Sequence, residues 1–169
     1  SIQLMKNTVR NSAKAVAVAA LVAAVAFPSL ADDKSKKPVL SSKEAIEQRK
    51  ATFNLIGKTF KPFGGILKGE VDYNSVDAEK LAKRLVFLND FLHGTFPEDS
   101  NVGEPQTKAR VEIWKDKEDF KKRLKEFRAN TENLLAVIER EKGPTAAFKE
   151  AAQKVAQDCK GCHDNYKLK

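Results

Sequence analysis

The chain has 169 residues, of which 31 are basic and 23 acidic, giving a formal net charge of +8 at neutral pH. The basic residues are scattered among acidic ones, as in the segment Lys115–Asp119, and this pattern is typical of solvated helix faces. A nucleic-acid-binding surface concentrates basic residues on one face, so the charge pattern argues against nucleic acid as a partner.

The first part of the chain has the three-part organisation of a secretory signal peptide. Three basic residues lie between Met5 and the apolar run of residues 15–27, and the small residues Ser29 and Ala31 occupy the −3 and −1 positions of a cleavage site. A membrane anchor is the alternative, but the Ala-rich run is short for a bilayer span and is closed by a proline and two acidic residues. We therefore expect residues 1–31, including the few that precede the start methionine, to be removed, which leaves a net charge of +5 and no membrane segment.

Two helices are predicted next. Residues 32–40 are charged and are expected to form a flexible lead-in. After them, Ser41 or Ser42 can cap a helix that stops near Leu67, where glycines weaken it. The second helix starts at Asp77. Apolar residues recur with a helical period at Ile46, Phe53, Ile56, Phe60, Phe63 and Leu67 in the first helix and at Leu81, Leu85, Leu88 and Leu92 in the second.

Two more helices follow a long loop at residues 94–106. A short helical turn at residues 111–114 leads into the third helix, and Gly143-Pro144 separates it from the fourth. Their apolar residues are Phe120, Leu124, Phe127, Leu134 and Ile138 in the third helix and Phe148, Ala152, Val155, Cys159, Cys162 and Tyr166 in the fourth. No segment alternates with period 2 for long enough to be a convincing strand, so the prediction for residues 41–169 is an all-α, antiparallel four-helix bundle.

The fourth helix carries the most specific motif of the chain, Cys159-Lys160-Gly161-Cys162-His163. This C-x-x-C-H pattern is the attachment signature of a c-type haem, in which two thiols form thioethers with the vinyl groups and the imidazole becomes an axial ligand of the iron. On a helix, Cys159, Cys162 and His163 lie at i, i+3 and i+4 and share one face. The motif therefore predicts one covalently attached haem c near the C-terminal end of the bundle, with His163 as its metal ligand.

A redox dithiol and half of a zinc site are the alternative interpretations of the cysteine pair. A redox dithiol usually accompanies a βαβ pattern, whereas every element predicted here is helical. A zinc site would need a second pair of ligands, and His93 is the only Cys or His outside the motif. Haem attachment and an export signal also agree with each other, because c-type haem is attached outside the bacterial cytoplasm, and together they predict a periplasmic protein.

In its order of motifs the chain resembles the cytochrome c′ family, the class II c-type cytochromes that attach haem near the C-terminus. The resemblance covers the chain after the signal peptide and rests on Arg49 four residues before Phe53, on Phe96-Pro97, on Glu112-Ile113-Trp114 with Asp116 and Phe120, and on Cys159 to Asp164 with Tyr166-Lys167.

The resemblance implies a role for each of these positions. His163 would be the proximal ligand, and the first helix would cover the opposite face of the haem, with Phe53 over the iron. Low-spin relatives have a methionine there, but the only methionine of this chain is Met5, in the predicted signal peptide. The resemblance therefore implies five-coordinate, high-spin iron under an apolar wall, with His93 the remaining candidate for a sixth ligand.

Arg49 would lie near a haem propionate and Lys167 beside the proximal histidine, where a point charge replaces the planar guanidinium often found in the family. Family members are often homodimers that pack their first two helices together. Ile56, Phe60 and Phe63 are candidates for that contact, although burial within the chain explains them equally well.

The expected function is a periplasmic haem protein that binds small gases such as nitric oxide and carbon monoxide. Electron transfer with a periplasmic redox partner is the alternative, and it uses the same residues. We expect no enzymatic activity, because Phe53 supplies neither an acid nor a base.

Overall fold

The computed structural model describes residues 40–169, so the predicted signal peptide and nearly all of the predicted flexible lead-in lie outside the described residues. The described part has five α-helices, α1 Ser42–Leu67, α2 Ala78–Asn89, α3 Glu112–Lys115, α4 Lys117–Glu141 and α5 Ala146–Tyr166. Short 3-10 turns lie at Tyr73–Ser75, Asp90–Leu92 and Glu98–Ser100. None of the helices described is long and apolar enough to cross a bilayer.

Local side chains explain where the long helices begin. Ser41 and Glu44 form a capping box, in which the Ser41 hydroxyl accepts from the Glu44 backbone N–H at 3.3 Å and the Glu44 carboxylate accepts from the Ser41 backbone N–H at 2.9 Å. The side chains of Asp77, Asp116 and Thr145 accept backbone N–H groups at the first turns of α2, α4 and α5. These caps satisfy donors that would otherwise lack a partner at the start of a helix.

The four long helices form a four-helix bundle, which confirms the predicted fold. Helix α4 packs against α2 and α5, and α1 packs against the same two neighbours. The main core lies between them and is built from apolar side chains, among them Ile56, Phe63, Leu85, Leu134, Phe148 and Val155. A smaller cluster of Ile113, Phe120 and Tyr166 lies where α3 and the start of α4 meet the end of α5.

Helix α1 buries three of the six residues in its predicted apolar stripe, Ile46, Ile56 and Phe63, together with residues that the pattern did not include. Its buried line includes Arg49, Thr52 and Ile56, whereas Phe53 lies at the border of this line and is 39% exposed. A charged residue can occupy the stripe because the loop after α2 provides hydrogen-bond acceptors for its guanidinium. Helical periodicity alone does not reveal such acceptors, since they come from about 50 residues further along the chain.

Candidate functional site

The last turns of α5 present the cysteine–histidine motif as one surface. Cys159, Cys162 and His163 lie at i, i+3 and i+4 within a continuous helix, as the sequence predicted. Both thiols are free and partly buried, and Cys159 packs against the main core. His163 is exposed, so the motif lies at the edge of the bundle with its cysteines turned towards the interior.

The protonation states of these groups follow from their surroundings. Burial raises the pKa of the Cys162 thiol to about 11, although the nearby Arg123 cation opposes the shift, and burial also raises the pKa of Cys159. Burial and then the charge of Lys167 lower the pKa of His163. At neutral pH the site therefore holds two neutral thiols and a neutral imidazole, which is the form of histidine that binds a metal.

This donor set fits a covalently attached haem. Two thiols on one helix face can each form a thioether, and the adjacent imidazole can serve as an axial ligand. An open cavity of about 610 Å³ lies next to the imidazole and is lined by Arg110, His163, Asp164, Lys167, Leu168 and Lys169. Within residues 40–169, no three His, Cys, Asp or Glu side chains come together as a metal-binding group.

Lys167 follows the motif directly after α5. Its backbone N–H donates to the His163 carbonyl at 3.3 Å, and its backbone forms an isolated antiparallel bridge with Ala109. The next residue, Leu168, donates to the Lys108 carbonyl at 2.8 Å. The Lys167 side chain is exposed, so it adds positive charge beside His163 without closing the cavity.

Arg49 lies in a polar pocket formed by the loop after α2. Its guanidinium donates to the Thr95 carbonyl at 2.9 Å, to the Ser100 hydroxyl at 2.7 Å and carbonyl at 3.1 Å, and to the Thr107 hydroxyl at 3.0 Å. Burial lowers the pKa of Arg49 to about 10, which leaves the group charged at neutral pH. The guanidinium also lies 4.9 Å from the centre of the Phe96 ring. The described contacts thus hold the loop to α1, and the role of Arg49 near a propionate stays a prediction.

Phe53 and Arg49 both contact the Phe96 ring. The Phe53 ring contacts Phe96 edge-on with 6.4 Å between centroids, and Phe96 in turn contacts Phe120 at 4.8 Å. Phe120 contacts Tyr166 at 5.2 Å, at the end of α5. The structure therefore gathers Arg49 and Phe53 around Phe96, and a row of aromatic contacts connects this group to the helix that carries the cysteine–histidine motif.

His93 lies directly after the 3-10 turn Asp90–Leu92. Its backbone is extended and its side chain is exposed. The sequence placed it near the end of the second helix, but α2 itself ends at Asn89. The five-coordinate iron implied by the resemblance, with His93 as the remaining candidate for a sixth ligand, stays a prediction.

Sequence reasoning missed the residues of α4 that hold the end of α5. The Tyr166 hydroxyl donates to the Asp119 carboxylate, which also accepts from Arg123 Nε at 2.8 Å. Asp158, directly before Cys159, accepts from the Asn130 amide at 2.8 Å. The four-residue spacing of Asp119 and Arg123 was a visible signal for an ion pair, but their link to Tyr166 needs the fold.

Fold and site together define a four-helix-bundle protein whose last helix presents the attachment motif of a c-type haem. The family model "Cytochrome C'" matches residues 44–167. A cytochrome c' of Cereibacter sphaeroides is 30% identical over 159 residues, covering 91% of this chain and 97% of the relative. The chain belongs to the cytochrome c′ family, which confirms the resemblance seen in the sequence.

Solved structures agree with this assignment. Cytochrome c prime from Shewanella frigidimarina superimposes with a TM-score of 0.69 at 32% identity, covering 76% of this chain and 98% of that one. Two variants of cytochrome c prime from Alcaligenes xylosoxidans, one ferrous with nitric oxide bound and one with carbon monoxide bound, each superimpose with a TM-score of 0.66 at 26% identity. Each covers 76% of this chain, and they cover 97% and 98% of their own chains, respectively. Family membership implies a covalently bound haem c, and Cys159, Cys162 and His163 are the residues of this chain that would hold it.

Proposed function

We propose that this protein is a periplasmic haem protein with one haem c and five-coordinate iron, which binds nitric oxide and carbon monoxide. The observation that carries the proposal is the pair of partly buried thiols and the neutral imidazole on one face of α5. The gas-bound structures of the Alcaligenes xylosoxidans relative support the choice of ligands. A haem bound at this site supplies an iron centre with an open position for a diatomic gas.

The chain's own residues have separate tasks in this proposal. Cys159 and Cys162 would hold the haem covalently, so that it could not dissociate, and His163 would provide a nitrogen ligand for its iron. Phe53 has no donor atom and would leave the remaining position of the iron without a protein ligand. Because the only methionine of the chain is Met5, no methionine of the described residues can take that position.

Absorption and electron paramagnetic resonance spectra of the purified ferric and ferrous protein test this proposal. We expect high-spin spectra in both oxidation states, each converting when nitric oxide is added, and the ferrous form converting with carbon monoxide. A low-spin spectrum that does not change when either gas is added would contradict the proposal. The spectrum of His93→Ala would then show whether His93 is the sixth ligand.

Substitution of Phe53 tests where this side chain lies relative to the iron. A methionine at position 53 offers a thioether sulfur, so Phe53→Met should convert the spectrum to low spin if the side chain lies over the iron. Phe53→Leu is the matched control, because leucine has similar size and no donor atom, and it should remain high spin. If the methionine variant also remains high spin, the distal wall is formed by other residues.

Electron transfer is the second candidate, and the charges around His163 favour it. Arg110, Lys167 and Lys169 line the cavity beside the exposed imidazole, with Asp164 the single acidic side chain among the lining residues. An acidic redox partner would be attracted to this surface, and salt would slow its association. Stopped-flow reduction by an acidic periplasmic donor at increasing ionic strength measures this, and a rate independent of salt would count against it.

The export signal is tested by the cell fraction and by the mass of the purified protein. Holoprotein in the periplasm that starts at Asp32 is the expected result, because the small residues Ser29 and Ala31 fit a cleavage site. Holoprotein that retains the apolar run of residues 15–27 would instead indicate an anchored form.

We further propose that two copies pair through α1 and α2. Ile56 and Phe63 are buried in the core of a single chain and Phe60 packs against that core, which favours the alternative of burial within the chain for these three residues. The exposed apolar residues of these two helices and of the turn after them are Phe53, Leu55, Phe87 and Phe91, and the Phe87 and Phe91 rings contact each other at 5.2 Å. Paired aromatic residues of this kind are typical of interfaces.

A further inference from the structure

Helix α4 contacts the last turn of α5 through a polar network that lies outside the cysteine–histidine motif. The Asp119 carboxylate accepts two hydrogen bonds on the same oxygen, one from the Tyr166 hydroxyl and one from Arg123 Nε at 2.8 Å. Asp119 and Arg123 are one turn apart on α4, and Tyr166 is the last residue of α5. These bonds lower the pKa of Asp119, so the carboxylate is ionised at neutral pH and is a strong acceptor.

Arg123 also lies directly against the motif. A side chain at Gly161 would bring a Cβ atom within 3.0 Å of Arg123 Nη1, so the glycine between the two cysteines leaves room for the guanidinium. The same cation opposes the rise in the pKa of Cys162. One residue of α4 therefore touches both Asp119 and the turn that holds the second cysteine.

Tyr166 is fixed from two further directions. Its ring is 6% exposed and meets Phe120 edge-on at 5.2 Å, and its carbonyl accepts from the Arg110 backbone N–H at 2.9 Å. The end of a helix normally frays, because its last carbonyls have no partner within the helix. Here the final residue is held, so the turn before it, which carries His163, is held as well.

We propose that Asp119, Arg123 and Tyr166 are positioning residues for His163, setting the angle at which its imidazole meets the haem iron. The inference rests on the proposed function, in which His163 is the proximal ligand. Tyr166 follows His163 by three residues and lies beside it on the helix surface, so a rotation of the last turn moves both side chains together. Loss of the bond to Asp119 frees that rotation.

The test uses the ferrous holoprotein and the iron–histidine stretching band in its resonance Raman spectrum. We expect Tyr166→Phe, which removes the hydroxyl and keeps the ring, to shift and broaden this band. Asp119→Ala should change the band at least as much, because it removes the bonds from both Tyr166 and Arg123. Adding Tyr166→Phe to Asp119→Ala should change nothing further, because the bond that it removes is already lost. Asp119→Asn keeps an oxygen acceptor for the hydroxyl and should restore much of the wild-type band.

Tyr73→Phe is the matched control, since Tyr73 is the only other tyrosine of the chain and packs on Phe148 in the main core. It should leave the band unchanged. Amide hydrogen exchange provides a second readout, in which Tyr166→Phe should reduce the protection of residues 163–168 by roughly tenfold, the loss expected for one hydrogen bond to a charged group.

The outcomes separate the two proposals. A wild-type spectrum without a histidine–iron band would overturn the proposed function. A clear wild-type band that Tyr166→Phe leaves unchanged would overturn the positioning role alone, even if protection or stability falls. Should Tyr166→Phe fail to accumulate as holoprotein, Asp119→Ala gives the same comparison, and an unchanged band in that variant would overturn the inference equally.

Discussion

Arg49 is a buried cation whose partners are neutral. At 2% exposure it has lost nearly all contact with water, and in exchange its guanidinium donates four hydrogen bonds to Thr95, Ser100 and Thr107. Its flat face also lies 4.9 Å from the Phe96 centroid and 5.7 Å from that of Trp114. A planar group with donors in fixed directions suits this pocket, whereas a lysine could satisfy only part of it.

Replacement of Arg49 by methionine tests the pocket at the level of a single side chain. Arg49→Met fills a similar volume but leaves buried carbonyl and hydroxyl oxygens without their donor, so we expect the free energy of unfolding to fall by about 3 kcal/mol. Urea denaturation followed by circular dichroism measures this loss. Lys58→Met, at an exposed position further along α1, is the control and should change stability little. A loss no larger than that of the control would mean that the pocket stabilises nothing.

Asp119 makes stability depend on pH in a defined direction. Hydrogen bonds from Tyr166 and Arg123 lower its pKa in the folded protein, so the ionised carboxylate stabilises the fold above the ordinary aspartate pKa of about 4. This contribution disappears as pH falls through the lower folded value. We therefore expect the stability difference between wild type and Asp119→Asn to be constant from pH 5 to 7 and to shrink below about pH 4.

Urea midpoints measured from pH 7 to pH 3 on both proteins give this difference directly. Asp99→Asn, at an exposed position of the 3-10 turn Glu98–Ser100, is the control for general effects of charge. If the stability of wild type relative to Asp119→Asn increased as pH falls, the predicted direction of the pH dependence would be wrong and the fold would not stabilise the ionised form of Asp119.

At the scale of the helices, the sequence correctly predicted where α1 and α2 begin and where α1 ends, because neighbouring residues determine these boundaries. Ser41 caps α1 and Asp77 caps α2, and α1 ends at Leu67, where the glycines indicated its end. The bonds from α4 to the end of α5 could not be predicted in this way, since Asp119 and Tyr166 are 47 residues apart. The exposure of Phe53 was hidden for the same reason, because residues of a distant loop decide which side of α1 is buried.

Two glycines of α1 should respond to alanine with opposite signs. Gly57 is exposed and a Cβ there meets nothing within 4 Å, so Gly57→Ala should raise the free energy of unfolding by about 1 kcal/mol through helix propensity. A Cβ at Gly65 would lie 2.5 Å from Val71 Cγ2, where the chain turns back after α1. Gly65→Ala should therefore destabilise the protein by about 1–3 kcal/mol despite the same gain in propensity.

Thermal or urea unfolding of the two variants provides a comparison within one helix. Each glycine serves as the control for the other, because both substitutions add the same methyl group to the same element. Stabilisation by both would show that Val71 moves aside without cost, and destabilisation by both would mean that α1 needs flexibility along its whole length.

For the whole molecule, the sequence predicted the four-helix bundle and the position of the cysteine–histidine motif because both follow from periodicity and short-range spacing. It did not predict which apolar residues remain outside after the bundle closes. Ile56 and Phe63 were candidates for a contact between copies, but they fill the core of one chain. Phe87 is the more exposed of its aromatic pair, at 62%, and it was not among those candidates.

Removal of the aromatic pair should separate the proposed homodimer. Phe87→Ser combined with Phe91→Ser deletes two large apolar side chains, and in a two-fold symmetric interface each deletion occurs twice. We expect the dissociation constant measured by sedimentation equilibrium to rise more than a hundredfold, since each Phe buries enough area to contribute about 1.5–3 kcal/mol. Val111→Ser removes an exposed apolar side chain outside α1 and α2 and should leave the dissociation constant of the dimer unchanged. A wild-type protein that is monomeric at tens of micromolar would contradict the pairing itself. A dimer that survives both serines would contradict only the choice of surface, because the haem spectrum of the double variant reports separately that the bundle is intact.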